Sequence, residues 1–335
     1  MVSLRPAPSH VRPSESAPLW TERGTPVTGP ARGRVAAIDC GTNSTRLLVA
    51  NADGTTHLRL MRITRLGAGV DATGDLNAAA IDRTVHVLRD FRRMMDEAGV
   101  SKGRLVTTSA VRDARNGDVF RQAALAATGL PAELLSGEEE GQLAYAGATA
   151  GLPPIDGDDL VVDIGGGSTE LVVQRHGVVQ AFSMNIGCVR LSERFLTHDP
   201  PEEAEIAALV AFVDGAIDGA VRALPVLSTL RDGRLVGVAG TVTTLAALSL
   251  GLPAYDSDQI HHSVLDRAAV DHWCATLAAE NATTRAERPG MVAGRADVIV
   301  GGAYVLRQVM ASFRFDRCIA SETDILDGIA LRLLQ

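Results

Sequence analysis

Val35-Ala-Ala-Ile-Asp39-Cys40-Gly41-Thr-Asn43-Ser44-Thr45-Arg46-Leu-Leu-Val49 and Asp159-Leu-Val-Val-Asp163-Ile-Gly165-Gly166-Gly167-Ser168-Thr169-Glu170-Leu-Val-Val173 lie over one another without a gap. Asp39 falls on Asp163, Gly41 on Gly165, Ser44 on Ser168, Thr45 on Thr169 and Leu47 on Leu171. Each segment reads as a short apolar strand, an Asp-x-Gly turn, a Ser-Thr pair and a second apolar strand. Self-similarity of this kind is the mark of an internal duplication. Between and after the two copies, strand-like runs such as Arg104–Thr107 and Arg234–Ala239 alternate with helical periodicity, as at 78–98 and 201–224. Alternating strands and helices predict an α/β fold, here built as two duplicated lobes.

Working outward, residues 1–33 carry Pro6, Pro8, Pro13, Pro18, Pro26 and Pro30 among Ser, Thr and Arg, and read as a disordered extension. The first lobe is expected over 34–150. Gly151-Leu152-Pro153-Pro154 is the clearest internal linker, and the second lobe is expected over 151–335, with its C-terminal helix packing back on the first. A composition of 46% hydrophobic and 21% charged residues suits a soluble globular chain, and no apolar run reaches bilayer length. The formal charge of −8 argues against a nucleic-acid partner. Four scattered cysteines without a CxxC pair argue against zinc and disulfides, so a cytoplasmic setting is expected.

The two tips have chemistry suited to phosphate. Glycines let backbone amides approach an anion, hydroxyls donate further bonds, and a carboxylate at the strand end can hold hydrated Mg²⁺. A single such tip reads equally well as a plain hairpin turn; two in one chain favour phosphate held between the lobes. The copies differ at one informative place, where Arg46 aligns with Glu170. One lobe offers a cation, the other a second carboxylate beside Asp163; an exposed strand residue is the alternative for Arg46. Among Glu138, Glu139 and Glu140, at the start of a helix, successive side chains point about 100° apart, so all three cannot share one site. Ser136 as N-cap gives Glu139 a capping role, and Glu140 is left without a structural one. Arg112, on a polar loop after a strand, reads as a substrate contact or a surface salt bridge. His261-His262 lack metal-ligand spacing.

The tips resemble the first two phosphate motifs of the actin-like (ribonuclease H-like) superfamily, and Gly237-Val-Ala-Gly240-Thr-Val-Thr-Thr244 resembles its third glycine-rich motif. Asp39–Arg46, Thr107-Thr-Ser-Ala-Val-Arg112-Asp-Ala-Arg-Asn116, Ser136-Gly-Glu-Glu-Glu140, Asp163–Glu170, Asn185-Ile-Gly187-Cys-Val-Arg190-Leu and Gly294-Arg295-Ala-Asp297-Val-Ile-Val-Gly301-Gly302 narrow the likeness to the Ppx/GppA phosphatases. The first tip departs slightly, with Gly41-Thr42-Asn43 where the family often has Gly-Ser-Asn. The resemblance implies two actin-like domains with a cleft between them, and hydrolysis of the terminal phosphoanhydride of inorganic polyphosphate or of a guanosine alarmone. It makes Glu140 the catalytic base and Asp163 and Glu170, joined by Asp39, the holders of Mg²⁺ or Mn²⁺. Gly41, Asn43, Ser44, Arg46, Arg112, Gly165, Gly166, Gly167, Ser168, Thr169 and Arg295 become the expected phosphate contacts. Members of the family commonly dimerise, so a homodimer is among the expectations.

Overall fold

The computed structural model describes residues 33–335 apart from Thr108, Arg231 and Asp232; the expected N-terminal extension lies outside the described residues except for Gly33. Strands β1 (Val35–Cys40), β2 (Ser44–Ala50), β3 (Thr56–Ile63), β4 (Lys102–Thr107) and β5 (Ala132–Leu134) form the first sheet. The second holds β6 (Asp159–Ile164), β7 (Thr169–Arg175), β8 (Val178–Met184), β9 (Arg234–Val238), β10 (Val264–Asp266) and β11 (Arg317–Ala320). The strand orders are β3-β2-β1-β4-β5 and β8-β7-β6-β9-β11-β10. The second sheet thus repeats the first and adds one antiparallel edge strand, β10. In both lobes an antiparallel hairpin pair leads into parallel partners, β1 with β4 and β6 with β9. The duplication legible in two strands therefore extends to five, in the two-lobed α/β layout expected.

Apart from Asp39, Asp159 and Asp163 both central strands are apolar, because helices cover their faces. Ala36 and Ile38 join Val85, Leu88, Phe91 and Met95 of the helix Ala78–Glu97 in one core. Asn77 caps that helix through the Ala79 and Ala80 amides, and Gly99, at φ 66°, ends it. In the second lobe Leu160, Val162 and Ile164 pack with Leu245, Val305 and Leu306. The remaining face of the first sheet is covered by the helix Gly137–Ala148 and the C-terminal helix Ile325–Leu334, whose Leu143, Ile325, Leu326 and Ile329 meet Val35, Ala37, Leu48 and Val106. Among the described residues no helix is long and apolar enough to cross a membrane.

Candidate active site

The two hairpin tips face each other across a cleft. A Cβ on Gly166 would meet Thr42 Cβ at 2.9 Å and the Asn43 amide nitrogen at 3.2 Å, so the tips approach too closely there for a side chain. They border a cavity of about 510 Å³ lined by Asp39, Gly41, Asn43, Ser44, Arg46, Glu140, Asp163, Gly165, Gly166, Gly167, Ser168, Glu170 and Arg295. The cavity runs on past the tips to Tyr255, Gln259 and Glu322.

Hydrogen bonds turn the tips' backbone toward the cavity. The Asn43 carbonyl accepts from the Thr64 and Arg65 amides, and the Thr42 carbonyl from Gly67. In the second tip the Gly165 carbonyl accepts from the Cys188 amide, Gly166 from Val189 and Arg190, and Gly167 from the Arg190 side chain. In a trans peptide the next N–H points opposite to a carbonyl tied back in this way, which turns the amides of Asn43, Gly166, Gly167 and Ser168 the other way. Asn43 also keeps a buried side-chain amide nitrogen with no partner. A cluster of outward donors beside withdrawn acceptors suits an anion.

Two of the expected contacts do otherwise. The Gly41 and Gly165 amides close their own turns onto the Ser44 and Ser168 carbonyls, each at 3.0 Å, so these glycines shape the tips without offering a free N–H. Thr169 departs from the expectation more clearly: fully buried, it donates its hydroxyl to the Ile186 carbonyl at 2.6 Å. Its counterpart Thr45 is likewise buried, bonded to Thr64 at 2.9 Å. Strand alternation explains both, since each Thr points into the lobe while its neighbours face the cleft.

The carboxylates converge. Asp163 stands directly across the β6–β7 ladder from Glu170, and Asp39 across β1–β2 from Arg46. Burial raises the Asp163 carboxyl to about 8, with Glu170 adding to the rise and Arg46 opposing it. Glu170 is raised by burial too, against the hydroxyls of Ser183 and Ser168 that hold its charged form. Asp39 is raised by burial and relieved by Arg46, and its Oδ1 is buried without a partner. Glu140 is pushed to about 9 by burial, then by Glu170, Asp163 and Asp39, with Arg112 pulling the other way.

The glutamate run sorts by local structure. Ser136 caps the helix by accepting from the Glu139 amide. The Glu139 carboxylate pairs with Arg104 at 2.8 Å and Arg332 at 3.3 Å, so it takes no return bond to the cap. Glu138 accepts from Gln142, and Glu140, two residues on, lines the cavity. Arg112 sits in a short helix, Ser109–Asp113, where a loop was expected, and pairs with Asp113 at 3.1 Å. It does not border the cavity, and it reaches Glu140 and Glu170 through charge alone.

Arg295 is buried at 7% exposure against Gly240, with its Nε unpartnered and no carboxylate at ion-pair distance among the described residues. Burial lowers its pKa. A buried guanidinium so poorly compensated is costly unless an anion joins it. Sequence reasoning passed over Asp324, which also lines the cavity and bonds Arg46. Its only signal was an Asp-x-x-Asp spacing, Asp324 to Asp327, ahead of an apolar helix.

Among the described residues no three His, Cys, Asp or Glu side chains are close enough to enclose a metal by themselves. The oxygen donors present nonetheless fit a hard cation that keeps waters and shares phosphate oxygens, as Mg²⁺ does with one or two carboxylates. Like-charged Asp163 and Glu170, and the orphaned Asp39 Oδ1, are the features such a cation would relieve.

Known proteins resemble this chain closely. The sequence model of the Ppx/GppA phosphatase family matches residues 35–335. Exopolyphosphatase 2 of Mycobacterium tuberculosis is 43% identical over 316 residues, 90% of this chain and 98% of its own length. Guanosine-5'-triphosphate,3'-diphosphate pyrophosphatase of Vibrio campbellii is 31% identical over 308 residues, 89% of this chain and 59% of its own. A crystal structure of the Aquifex aeolicus Ppx/GppA family member superposes with a TM-score of 0.72 at 32% identity, covering 90% of this chain and 97% of that one.

Proposed function

The chain belongs to the Ppx/GppA phosphatase family, and from that premise we propose that it is an exopolyphosphatase, releasing orthophosphate from the end of inorganic polyphosphate. The observation that carries the reading is the meeting of Glu140, Asp163 and Glu170 in one cavity with two donor-rich tips and Arg46. Asn43, Gly166, Gly167 and Ser168 would hold the terminal phosphate through their amides, and Arg46 would offset its charge. Glu140 would take the proton of a water aligned with the terminal phosphorus, a role that needs its carboxylate ionised and therefore a cation beside Asp163 and Glu170 to offset the charges that help raise its pKa. Asp163 and Glu170, with Asp39, would hold Mg²⁺ or Mn²⁺, which would supply positive charge to offset that of the phosphate. Arg295 would meet a more distant phosphate. Four cysteines, all buried and free, fit a reducing cytoplasm.

A guanosine alarmone is the second reading, favoured by the extension of the cavity beyond the tips to Tyr255, Gln259 and Glu322. The deciding experiment is Mg²⁺-dependent phosphate release from polyphosphate and from guanosine pentaphosphate by the parent and Glu140→Gln. Loss of release by at least about 10²-fold, with substrate still bound, is expected of a general base. Tight binding of either substrate without release by the parent would make the protein a sensor.

A further inference from the structure

Arg46 is held by two lobes of charge, one of them from the far end of the chain. Its guanidinium has five N–H donors. Nε and Nη2 bond Asp39 Oδ2, and Nη1 bonds Asp324 Oδ2, which leaves two of the five for a substrate. Burial works against the Arg46 charge, but Asp324, Asp39 and Asp163 more than offset it. With Asp39 alone the guanidinium could rotate about that oxygen toward Asp163; two carboxylates at different edges fix its plane.

Asp324 is itself fixed. It is 5% exposed, and its second oxygen caps the C-terminal helix by accepting from the Leu326 amide at 2.9 Å. Its own amide donates to Asp327, which in turn bonds Arg59. That helix is locked to the helix bearing Glu140 by two glycines. A Cβ on Gly147 would fall 1.7 Å from the Asp324 carbonyl oxygen, and one on Gly328 would fall 2.0 Å from that of Leu143. Such backbone contact leaves no room for sliding, so Glu140 and Asp324 ride on one rigid pair of helices.

We infer that Asp324 is a positioning residue: from the C-terminal helix it holds the Arg46 guanidinium in its cavity-facing orientation and ties it to the helix that carries Glu140. The inference rests on the phosphohydrolase reading for its kinetic consequence, though not for the hold itself. Asp324→Asn tests it, because Asn caps helices as well as Asp and keeps the shape while removing the charge that grips Arg46. For phosphate release, kcat/KM is expected to fall about 30-fold, in line with the cost of small misplacements of a charge-stabilising group. In an Arg46→Met background the same substitution is expected to cost under about 2-fold, because its effect passes through Arg46. Equal losses in both backgrounds would overturn the inference, since a purely structural role is additive.

The same cycle, read as tripolyphosphate affinity in a Glu140→Gln background, separates the two ideas. Coupled loss of affinity, together with no phosphate release by the parent, would sink the hydrolase reading and keep the positioning role; uncoupled loss, with an active parent, does the reverse. Solvent exchange of the Arg46 Nη1 protons, one of which Asp324 accepts, needs no substrate. It is expected to quicken at least about tenfold in Asp324→Asn as the hold loosens, and an unchanged rate would count against the hold.

Discussion

The two hairpin tips share topology, register and their Asp, Gly, Ser and Thr, yet they place opposite charges at one equivalent position. In the first, Asp39 faces Arg46 and the pair is nearly self-compensating, with Asp324 as a further anchor. In the second, Asp163 faces Glu170, and two buried carboxylates oppose each other across the ladder. Directly opposed like charges destabilise a sheet, whereas opposite ones support it. The first tip is thus stable as it stands, while the second gains from an added cation. On the proposed function both tips would cradle phosphate, and the change of charge between Arg46 and Glu170 would divide their work between gripping anion and holding metal.

Removing the charge at that position gives the largest expected effects. Glu170→Gln removes half of the carboxylate pair with little change in shape, and phosphate release is expected to fall by about 10²–10³-fold, the scale for losing one charge-stabilising element. The metal-free variant is nevertheless expected to melt higher than the parent. Arg46→Met is the counterpart in the first tip. It leaves Asp39 and Asp324 facing one another without their shared cation and is expected to cost about 3–5 kcal/mol, the scale for breaking a buried pair. Denaturant unfolding of both variants, without metal, checks the contrast. Stability changes of the same sign in the two would show that the tips are not electrostatically opposed.

Titration sharpens the comparison more gently. With Asp163 raised to about 8 and Glu140 to about 9, the folded protein keeps protons that the unfolded chain gives up near pH 4. The unfolded state therefore binds fewer protons, and stability falls as pH rises from about 5 toward 8. Thermal melts of the metal-free protein across that range should show the fall. Asp163→Asn should lessen it, leaving the share of Glu140, and millimolar Mg²⁺ added to the parent should flatten it. A slope untouched by both would place the pH sensitivity elsewhere in the molecule.

How much of this was legible in the sequence follows from range of interaction. The tips, the strand pairing and the role of Ser136 are local, and so the repeat and the cap announced them. Glu140 stood out only once its neighbours had been given structural roles. Asp324 could not be found this way, because its link to Arg46 spans 278 positions and reads locally as an ordinary helix cap. Arg112 reads as a loop residue in the sequence because the five-residue helix that holds it is too short to leave a periodic pattern.

Thr169 is where local reading and structure part, and it yields the smallest prediction. A Ser-Thr pair beside glycines suggests two hydroxyls for phosphate, but adjacent strand residues face opposite ways, so one of the pair must turn into the lobe. Ser168 lines the cavity, and Thr169 donates inward to Ile186. Thr169→Val should leave that carbonyl without its donor and cost about 1 kcal/mol of stability, with KM and kcat within about 2-fold of the parent, since no substrate contact is lost. Thr45→Val, on the matching position of the other tip, should behave alike, because its hydroxyl also bonds within the protein. A tenfold rise in KM for Thr169→Val alone would mean that the second tip turns its threonine to substrate after all, and that the tips part in use at a matched residue as well as in charge at Arg46 and Glu170.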